Sequence, residues 1–259
     1  MVKHPLRLHF ALKVAFIHFG VSCIIAVAAA WIVFAHWIPH PFRELVQAPK
    51  LFMVLLLVDV VCGPLLTAVL ANPTKSRREL ALDFGLVAAI QLTALGYGLH
   101  TISSARPIAI VFEVDRFAVV SASQINEEEL ELASEVFRPL SWSGPRLLGT
   151  RAAQSNEEKF ESIEHSLQGV EPSARPTWWQ SYELSRPKVI QRMQPLAALQ
   201  KKTSATNQQV IQLAQSKVPQ PLAPIFYLPL VSSRKLDGWI VLLDDQANII
   251  GHAPVDGFQ

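Results

Sequence analysis

Residues 51–71 have the sequence LFMVLLLVDVVCGPLLTAVLA, an apolar run interrupted by one acidic side chain, Asp59. An α-helix crosses a bilayer with about 20 apolar residues, because each residue adds about 1.5 Å. Residues 14–35 and 80–101 form two more runs of this length. Three such runs joined by short polar segments are poorly explained by buried helices of a soluble protein. The sequence therefore predicts three transmembrane helices, named here span one, span two and span three in chain order.

The first run also resembles the apolar core of a signal peptide, since Ala28-Ala29-Ala30 imitates a cleavage site. The apolar run nevertheless continues through residues 31–34, WIVF. This length favours a retained helix over a cleaved signal.

The composition differs between the two parts of the chain. Of its 259 residues 50% are apolar and only 17% are charged, whereas soluble domains carry about 25% charged residues. Residues 1–102 hold eight basic and four acidic side chains, and residues 103–259 hold 15 and 17. We therefore expect a membrane domain at 1–102 and a separate polar domain at 103–259. Neither part has a basic stripe with interleaved aromatics, so nucleic acid is not an expected partner.

The orientation of the spans follows from the lysine and arginine residues near their ends, because cytoplasmic segments carry an excess of these residues. Six of these basic residues lie in two segments, residues 1–13 and the turn 72–79 between spans two and three, whereas only Arg43 and Lys50 lie between spans one and two. The sequence thus predicts a cytoplasmic N-terminus. Three crossings then put residues 103–259 on the opposite side, which in a bacterium is the periplasm.

Small residues recur every four positions on spans one and three, and in lipid such stripes mark faces where helices approach closely. The stripes either seat the three helices against each other or accept a helix from another protein. The candidate positions are Ser22, Ala26 and Ala30 on span one, and Ala81, Gly85 and Ala89 on span three.

Asp59 is the costliest residue of the membrane half, and acids within a membrane are candidate functional residues. Counting from the span ends puts Ser22, Asp59 and Gln91 near mid-depth, where they could form one polar layer. Gly63 and Pro64 follow, and the proline ring removes a helical hydrogen bond to the carbonyl of residue 60. Two interpretations remain: Asp59 fixes the register of the helices, or Asp59 and the opened backbone bind a partner helix. A transporter is disfavoured, because three spans without an internal repeat leave little room for a gated path.

No motif of metal binding or catalysis is present. His36 and His40 have the spacing of helical metal ligands, but Pro39 breaks the helix between them. Both cysteines, Cys23 and Cys62, lie inside apolar runs. The sequence has no nucleophile elbow, phosphate-binding loop or zinc-protease motif. We therefore expect neither cofactor nor metal, and no enzyme activity.

The polar domain begins with a predicted hairpin in which residues 108–114 and 117–120 are strands and Asp115-Arg116 is the turn. Asn126 and Ser155 precede acidic residues in the arrangement of helix N-termini, Ser155 and Glu158 forming a capping box. Both acidic runs are therefore interpreted as helix starts rather than as catalytic carboxylates.

The rest of the domain alternates between helix and strand. Residues 186–201 and 204–217 are predicted helices, the first divided or kinked at Pro195, and three strands follow at 225–231, 238–243 and 247–252. Strands at both ends with helices between them predict an α+β domain on an antiparallel sheet. Trp178 and Trp179 belong either to its core or to a surface that binds a partner.

Several stretches together resemble one family, the type IV pilin accessory proteins of the TfpX/TfpZ type. Residues 59–67, DVVCGPLLT, are similar to the second-span motif of that family, and residues 72–80, NPTKSRREL, to its cytoplasmic turn. Residues 91–98 and Arg106-Pro107 resemble its third span and exit. Residues 112–117, FEVDRF, resemble its most recognisable stretch. The similarity is specific over residues 50–120 and weak between 120 and 220.

The resemblance implies an inner-membrane, pilin-specific chaperone that stabilises a pilin subunit before the subunit enters the pilus. Pilins keep a hydrophobic N-terminal helix in the membrane and a globular head outside, so a partner with spans and an exported domain could touch both. The expected partners are the major pilin and membrane lipids. Besides the two stripes, the expected contact residues are Asp59, Gly63, Pro64, Gln91, Phe112, Glu113, Asp115, Arg116 and Phe117.

Two other functions remain open at this stage. A periplasmic sensor would need a separate signalling partner, because its cytoplasmic parts are only a tail and a short turn. An enzyme that adds a sugar or an acyl group to pilin would change the mass of the pilin.

Overall fold

The computed structural model describes residues 4–218 and 224–258 of the chain. Contacts divide the chain into two compact units. The helical unit contains the residues up to Pro39 together with Gln47–Ala105, and the C-terminal unit contains His40–Val46 together with the residues from Arg106 onwards.

The helical unit consists of three long apolar helices, each long enough to cross a membrane, over Arg7–Trp37, Ala48–Leu70 and Arg77–Ser104. They contain the three runs predicted from the sequence. Two of them are not α-helical throughout. The elements are the α-helix His4–Trp31 with the π-helix Ile32–Trp37, the α-helix Ala48–Leu56 with the π-helix Leu57–Cys62 and the α-helix Gly63–Leu70, and the α-helix Arg77–Ser104.

Span three starts at a complete capping box. The Glu79 amide donates to Ser76 Oγ at 3.3 Å, and the Ser76 amide donates to Glu79 Oε2 at 2.7 Å. Lys75 closes the preceding turn through a 2.6 Å ion pair with Asp83. The polar turn between spans two and three is thus fixed by its own side chains.

Span two lies at the centre of the helical unit, because spans one and three both pack against it. His18 Nδ1 and Thr67 Oγ1 lie 2.6 Å apart and join span one to span two. Leu55 of span two packs on Gly98 of span three, where an added Cβ would lie 2.5 Å from Leu55 Cδ1.

The C-terminal unit is built on one sheet of eight strands. The strands are β1 Pro107–Glu113, β2 Arg116–Ser121, β3 Arg146–Thr150, β4 Trp179–Ser181, β5 Gln194–Pro195, β6 Phe226–Ser232, β7 Ile240–Leu243 and β8 Ile249–Ala253. Their order in the sheet is β4-β3-β1-β2-β6-β7-β8, with β5 paired to β6. The α-helices are Phe42–Leu45, Glu127–Leu132, Asn156–Leu167, Tyr182–Arg192, Leu196–Lys202 and Ala205–Ser216. Short 3₁₀ turns occupy Ala122–Gln124, Pro172–Ala174 and Pro176–Trp178.

The sheet is mixed, so the prediction of an antiparallel sheet is wrong in part. The hairpins β1–β2 and β6–β7–β8 are antiparallel, but β1 pairs with β3 and β2 pairs with β6 in parallel. Parallel strands need long connections. Residues 122–145 form such a connection after β2, and β3 therefore pairs with the far side of β1 rather than with β2. The three predicted C-terminal strands correspond to β6, β7 and β8.

The first hairpin turns one residue earlier than predicted. Val114 and Asp115 form the turn, and Arg116 already pairs with Glu113 in the sheet. Val114 has a φ of 56°, a left-handed conformation that β-branched residues rarely adopt. A turn at Val114 therefore has no local signal in the sequence.

Two apolar clusters stabilise the C-terminal unit. Helices Leu196–Lys202 and Ala205–Ser216 place Leu196, Leu199 and Ile211 against Tyr227 and other side chains of β6 to β8. Pro195 lies at the break between helices, as expected. A second cluster holds Ile108, Val111, Leu148 and Trp179. Trp178 and Trp179 are 5% and 6% exposed, so both belong to the core rather than to a binding surface.

The loop between spans one and two is packed into the C-terminal unit, which the sequence did not predict. Leu45 is fully buried and Phe42 is 5% exposed. The Ser232 hydroxyl donates to the Leu45 carbonyl at 2.7 Å. The Phe42 ring lies 5.9 Å from that of His252, and His40 lies 6.2 Å from Trp239. Residues 40–46 are therefore an integral part of the fold of the C-terminal unit.

Candidate functional site

A cleft lies between spans one and three, with span two as its floor. Its volume is about 240 Å³. Its lining is mostly apolar and includes four polar side chains. The lining residues are His18, Val21, Ser22 and Ile25 of span one, Asp59 of span two, and Ala88, Gln91, Leu92 and Leu95 of span three. We call this site the inter-span cleft.

The inter-span cleft brings together the three polar residues that the sequence placed near mid-depth. Ser22 and Asp59 are 5% and 7% exposed, and Gln91 is half-buried beside them. Asp59 Oδ1 is buried and has no hydrogen-bond partner among the residues that the structure describes. An unpaired buried acceptor is energetically costly, so the floor of the cleft carries an unused hydrogen-bonding capacity.

The main chain at Asp59 accepts a hydrogen bond from a side chain of span three. Gln91 Nε2 donates to the main-chain oxygen of Asp59 at 3.0 Å, whereas the sequence pointed to the carbonyl of Val60. Asp59 belongs to the π-helical segment Leu57–Cys62, which ends just before Gly63 and Pro64. Single π-helical turns within α-helices occur frequently at functional sites.

Gly63 makes room for the Gln91 amide. A Cβ atom at position 63 would lie 2.0 Å from Gln91 Nε2. The glycine and Gln91 therefore form one unit, which holds the Asp59 carbonyl and leaves the Asp59 side chain turned to the cleft.

We expect Gly63→Ala to lower the stability of the helical unit by about 1 kcal/mol, because Gln91 must leave the Asp59 carbonyl. Gly85→Ala is the matched control, since no atom lies within 4 Å of its added Cβ. The measurement is thermal unfolding of the full chain in detergent micelles. Equal effects of the two substitutions would contradict the contact.

The two small-residue stripes differ in exposure. On span one Ser22 is buried, and Ala26 and Ala30 are half-buried outside the cleft. On span three the stripe is exposed on the outer surface of the bundle, at Ala81, Gly85 and Ala89. Successive helical residues turn by about 100°, so the span-three stripe runs beside the cleft-lining Ala88 and Leu92. Among the described residues of the helical unit, the span-three stripe is thus left exposed at the edge of the cleft.

His18 is a cleft residue that the sequence analysis did not single out. Its ring lies within hydrogen-bonding distance of Thr67 inside the bundle. A signal was present, because His18 precedes Ser22 by four residues and so shares its helix face.

The hairpin of the C-terminal unit exposes only its tip. Phe112 and Phe117 are 2% and 0% exposed and stack edge to face at 5.6 Å. These rings are core residues rather than surface contacts. Asp115 and Arg116 are exposed and form an ion pair at 3.3 Å, so a partner could contact this pair.

Glu113 lies in a second cavity, of about 320 Å³, which Arg116, Glu171 and Ser173 also line. Burial raises the pKa of the Glu113 carboxyl, and hydrogen bonds from Ser173 partly oppose this. Residues of the sheet and of the 3₁₀ turn Pro172–Ala174 line this cavity. Glu113 therefore belongs to the interior of the hairpin base.

The acidic runs start helices, as predicted. Asn126 Oδ1 accepts from the Glu128 amide at 2.8 Å, and Ser155 Oγ accepts from the Glu158 amide at 3.1 Å. The Glu158 carboxylate binds Arg151 at 2.6 Å rather than completing the box, and Arg151 lowers the pKa of Glu158 to about 2. Within residues 4–218 and 224–258, no group of three or more His, Cys, Asp or Glu side chains is placed to hold a metal ion.

Comparison with known proteins relates the chain to proteins of pilus assembly. The family model described as fimbrial assembly protein FimB matches residues 6–47. The fimbrial assembly proteins of Dichelobacter nodosus serogroups E1 and I are each 38% identical over 253 residues, covering 98% of this chain and 98% of each relative. That of serogroups C1 and C2 is 42% identical over 127 residues, 49% of this chain and 97% of the relative.

No solved structure matches the chain. The match to the serogroup E1 and I proteins nonetheless extends over both the spans and the C-terminal unit. The chain therefore belongs to the fimbrial assembly protein family, an accessory family of type IV pilus assembly.

Proposed function

We propose that this protein is an inner-membrane accessory protein that binds and stabilises a type IV pilin subunit before or during pilus assembly. It acts as a pilin-specific chaperone. Its N-terminus is cytoplasmic and its C-terminal unit is periplasmic. The pilin subunit is called the client below.

The inter-span cleft is the observation that carries this proposal. Two helical walls and a floor leave a lateral opening of about 240 Å³, which has room for side chains of another helix that packs against the bundle. The small residues Ala81, Gly85 and Ala89 border the opening, and in lipid such residues allow helix backbones to approach closely. A pilin has one hydrophobic helix, which fits a single opening.

The packing of residues 40–46 supports the proposed topology. These residues connect spans one and two, and they contact Ser232 and Trp239 of the C-terminal unit. Three crossings put this loop and the residues after span three on the same side of the membrane. If the chain crossed the membrane an odd number of times after this loop, the loop and the C-terminal unit would lie on opposite sides and could not be in contact.

The exported domain offers a second contact for the client. The exposed hairpin tip with Asp115 and Arg116 carries opposite charges side by side, which suits a polar protein surface. We assign this tip, rather than the buried Phe112 and Phe117, to contact with the globular head of the pilin.

The descriptions of the relatives support a function in pilus assembly. The two similar Dichelobacter nodosus proteins are described as fimbrial assembly proteins, and they match this chain over nearly its full length. A role in assembly of the pilus, carried out before the subunit leaves the membrane, is consistent with a protein that has three apolar helices.

Deletion of the gene tests the proposal. We expect the amount of pilin in the inner membrane and the number of surface pili both to fall, and a plasmid copy to restore them. Unchanged pilin and unchanged pili would overturn the proposal.

The mass of the pilin separates chaperoning from modification. A chaperone leaves the mass of the remaining pilin unchanged in the deletion strain. A missing sugar or acyl mass would identify an enzyme that modifies pilin instead.

A further inference from the structure

The side chain of Asp59 defines what the occupant of the inter-span cleft must carry. Asp59 is the central residue of the span Ala48–Leu70, and it is more than nine-tenths buried. Asp59 lines the cleft, and its Oδ1 atom is buried just beneath that lining without a hydrogen-bond partner in the described part of the chain. Asp59 therefore presents a free acceptor at about the middle of the bilayer.

Two of the polar neighbours of Asp59, Gln91 and His18, are engaged elsewhere. Gln91 Nε2 donates to the main-chain oxygen of Asp59 rather than to its carboxyl, and Gly63 keeps the Gln91 amide in that position. The ring of His18 is paired with Thr67. No lysine or arginine lines the cleft as described.

The surroundings of the cleft cannot supply the donor either. The hydrocarbon core of a bilayer contains no water or headgroup that could bond a polar group, so such groups must be satisfied by protein. The depth of Asp59 thus excludes a lipid headgroup. Apart from the Ser22 hydroxyl, which also lines the cleft, the missing donor has to come from a protein helix that packs over the cleft.

We infer that the pilin helix carries a hydrogen-bond donor at mid-depth, and that this side chain bonds Asp59 Oδ1 in the inter-span cleft. This inference rests on the proposed function and specifies its chemistry. The donor is a hydroxyl, an amide or a cationic group, and the apolar walls Ile25 and Leu92 pack against the rest of the client helix. A pairing of this kind recognises a client by one buried polar contact, while the small residues set the distance of approach.

The test is photo-crosslinking in native membranes of the full chain. The native Cys23 and Cys62 are replaced by alanine, and a photoactivatable thiol reagent is attached at Leu92→Cys, at the mouth of the cleft. The yield of adduct with the pilin of the host strain is compared between Asp59, Asp59→Asn and Asp59→Leu at equal amounts of the protein. Hydrogen bonds between membrane helices contribute about 0.6 to 1.7 kcal/mol, so we expect Asp59→Leu to reduce capture about 3- to 20-fold.

The asparagine variant identifies the kind of donor. If Asp59→Asn gives nearly the same yield of pilin adduct as the protein with Asp59, the donor is neutral, because the asparagine amide keeps an acceptor oxygen. Capture as low as that of Asp59→Leu supports a cationic donor. Equal yields for all three side chains would overturn the inference while leaving pilin binding in place.

Two further outcomes have defined meanings. No pilin adduct with Asp59 present would overturn the proposed function itself, and an adduct with a second copy of this chain alone would replace the pilin as occupant. If Asp59→Leu fails to accumulate, the donor is removed from the pilin instead. Each polar residue in the pilin helix is then changed to alanine against unchanged Asp59, and undiminished capture of every variant would overturn the inference.

Discussion

Leu45→Ala is expected to lower the free energy of unfolding of the C-terminal unit by about 3 kcal/mol. Leu45 lies between spans one and two in sequence, yet its side chain is fully buried in the C-terminal unit. Truncation removes its apolar contacts and leaves a cavity. The hydrogen bond from Ser232 goes to the Leu45 main-chain oxygen, so it survives the substitution and the loss measures packing.

Glu44→Ala is the matched control for Leu45→Ala. Glu44 occupies the same short helix but is exposed, and exposed substitutions usually change stability by less than about 0.5 kcal/mol. The measurement is denaturant unfolding of the full chain in detergent micelles, followed by tryptophan fluorescence. If Leu45→Ala behaved like Glu44→Ala, the loop would not be part of the C-terminal fold.

Acidification is expected to destabilise the C-terminal unit by about 3 kcal/mol through His252 alone. Burial lowers the pKa of His252 from 6.5 to about 4, and the neighbouring His40 adds to this. Between these values the unfolded chain binds a proton that the folded chain excludes. Stability is therefore unaffected by His252 above pH 6.5 and is lost as the pH falls from 6.5 towards 4, at about 1.4 kcal/mol for each unit of pKa difference.

The comparison that isolates His252 uses His252→Gln, which has no titrating group at this position. The Nε2 atom of His252 is buried without a hydrogen-bond partner in the described residues, so the glutamine is not expected to break an existing bond at that atom. The free energy of unfolding of both proteins is measured from pH 7.5 to pH 4. Other titrating groups contribute equally to both, so parallel profiles would refute the role of His252.

The features that the sequence predicted correctly have strong local signals. The three spans follow from apolar length, and helix starts at Asn126 and Ser155 follow from side chains that cap their own backbone. The common position of Ser22, Asp59 and Gln91 followed from counting along helices of fixed rise. Such features depend on residues close in the chain, and for that reason they could be predicted.

The features that the sequence did not predict depend on distant residues. Arg146–Thr150 has few β-formers, and it becomes a strand because β1 lies beside it. The parallel pairing of β2 with β6 joins residues more than 100 positions apart. The burial of Leu45 requires Ser232 and the rest of the C-terminal unit, which no local pattern near residue 45 reveals.

The candidate site shows the same division. Two small-residue stripes were equivalent in the sequence, and only packing distinguishes them, since Ala26 and Ala30 are half-buried while Ala81, Gly85 and Ala89 are exposed. The role of Gly63 also needed the structure, because it depends on the position of Gln91.

The central claim is that the pilin helix occupies the inter-span cleft, and crosslinking from two positions of span three tests it most directly. Leu92 lines the cleft, whereas Ile90 lies on another face of the same helix, two residues away along its axis. Their exposures of 62% and 53% give a reagent similar access. If the pilin helix occupies the cleft, we expect a strong pilin adduct from Leu92→Cys and a weak one from Ile90→Cys. Equal adducts from both positions, or a stronger one from Ile90→Cys, would contradict the account.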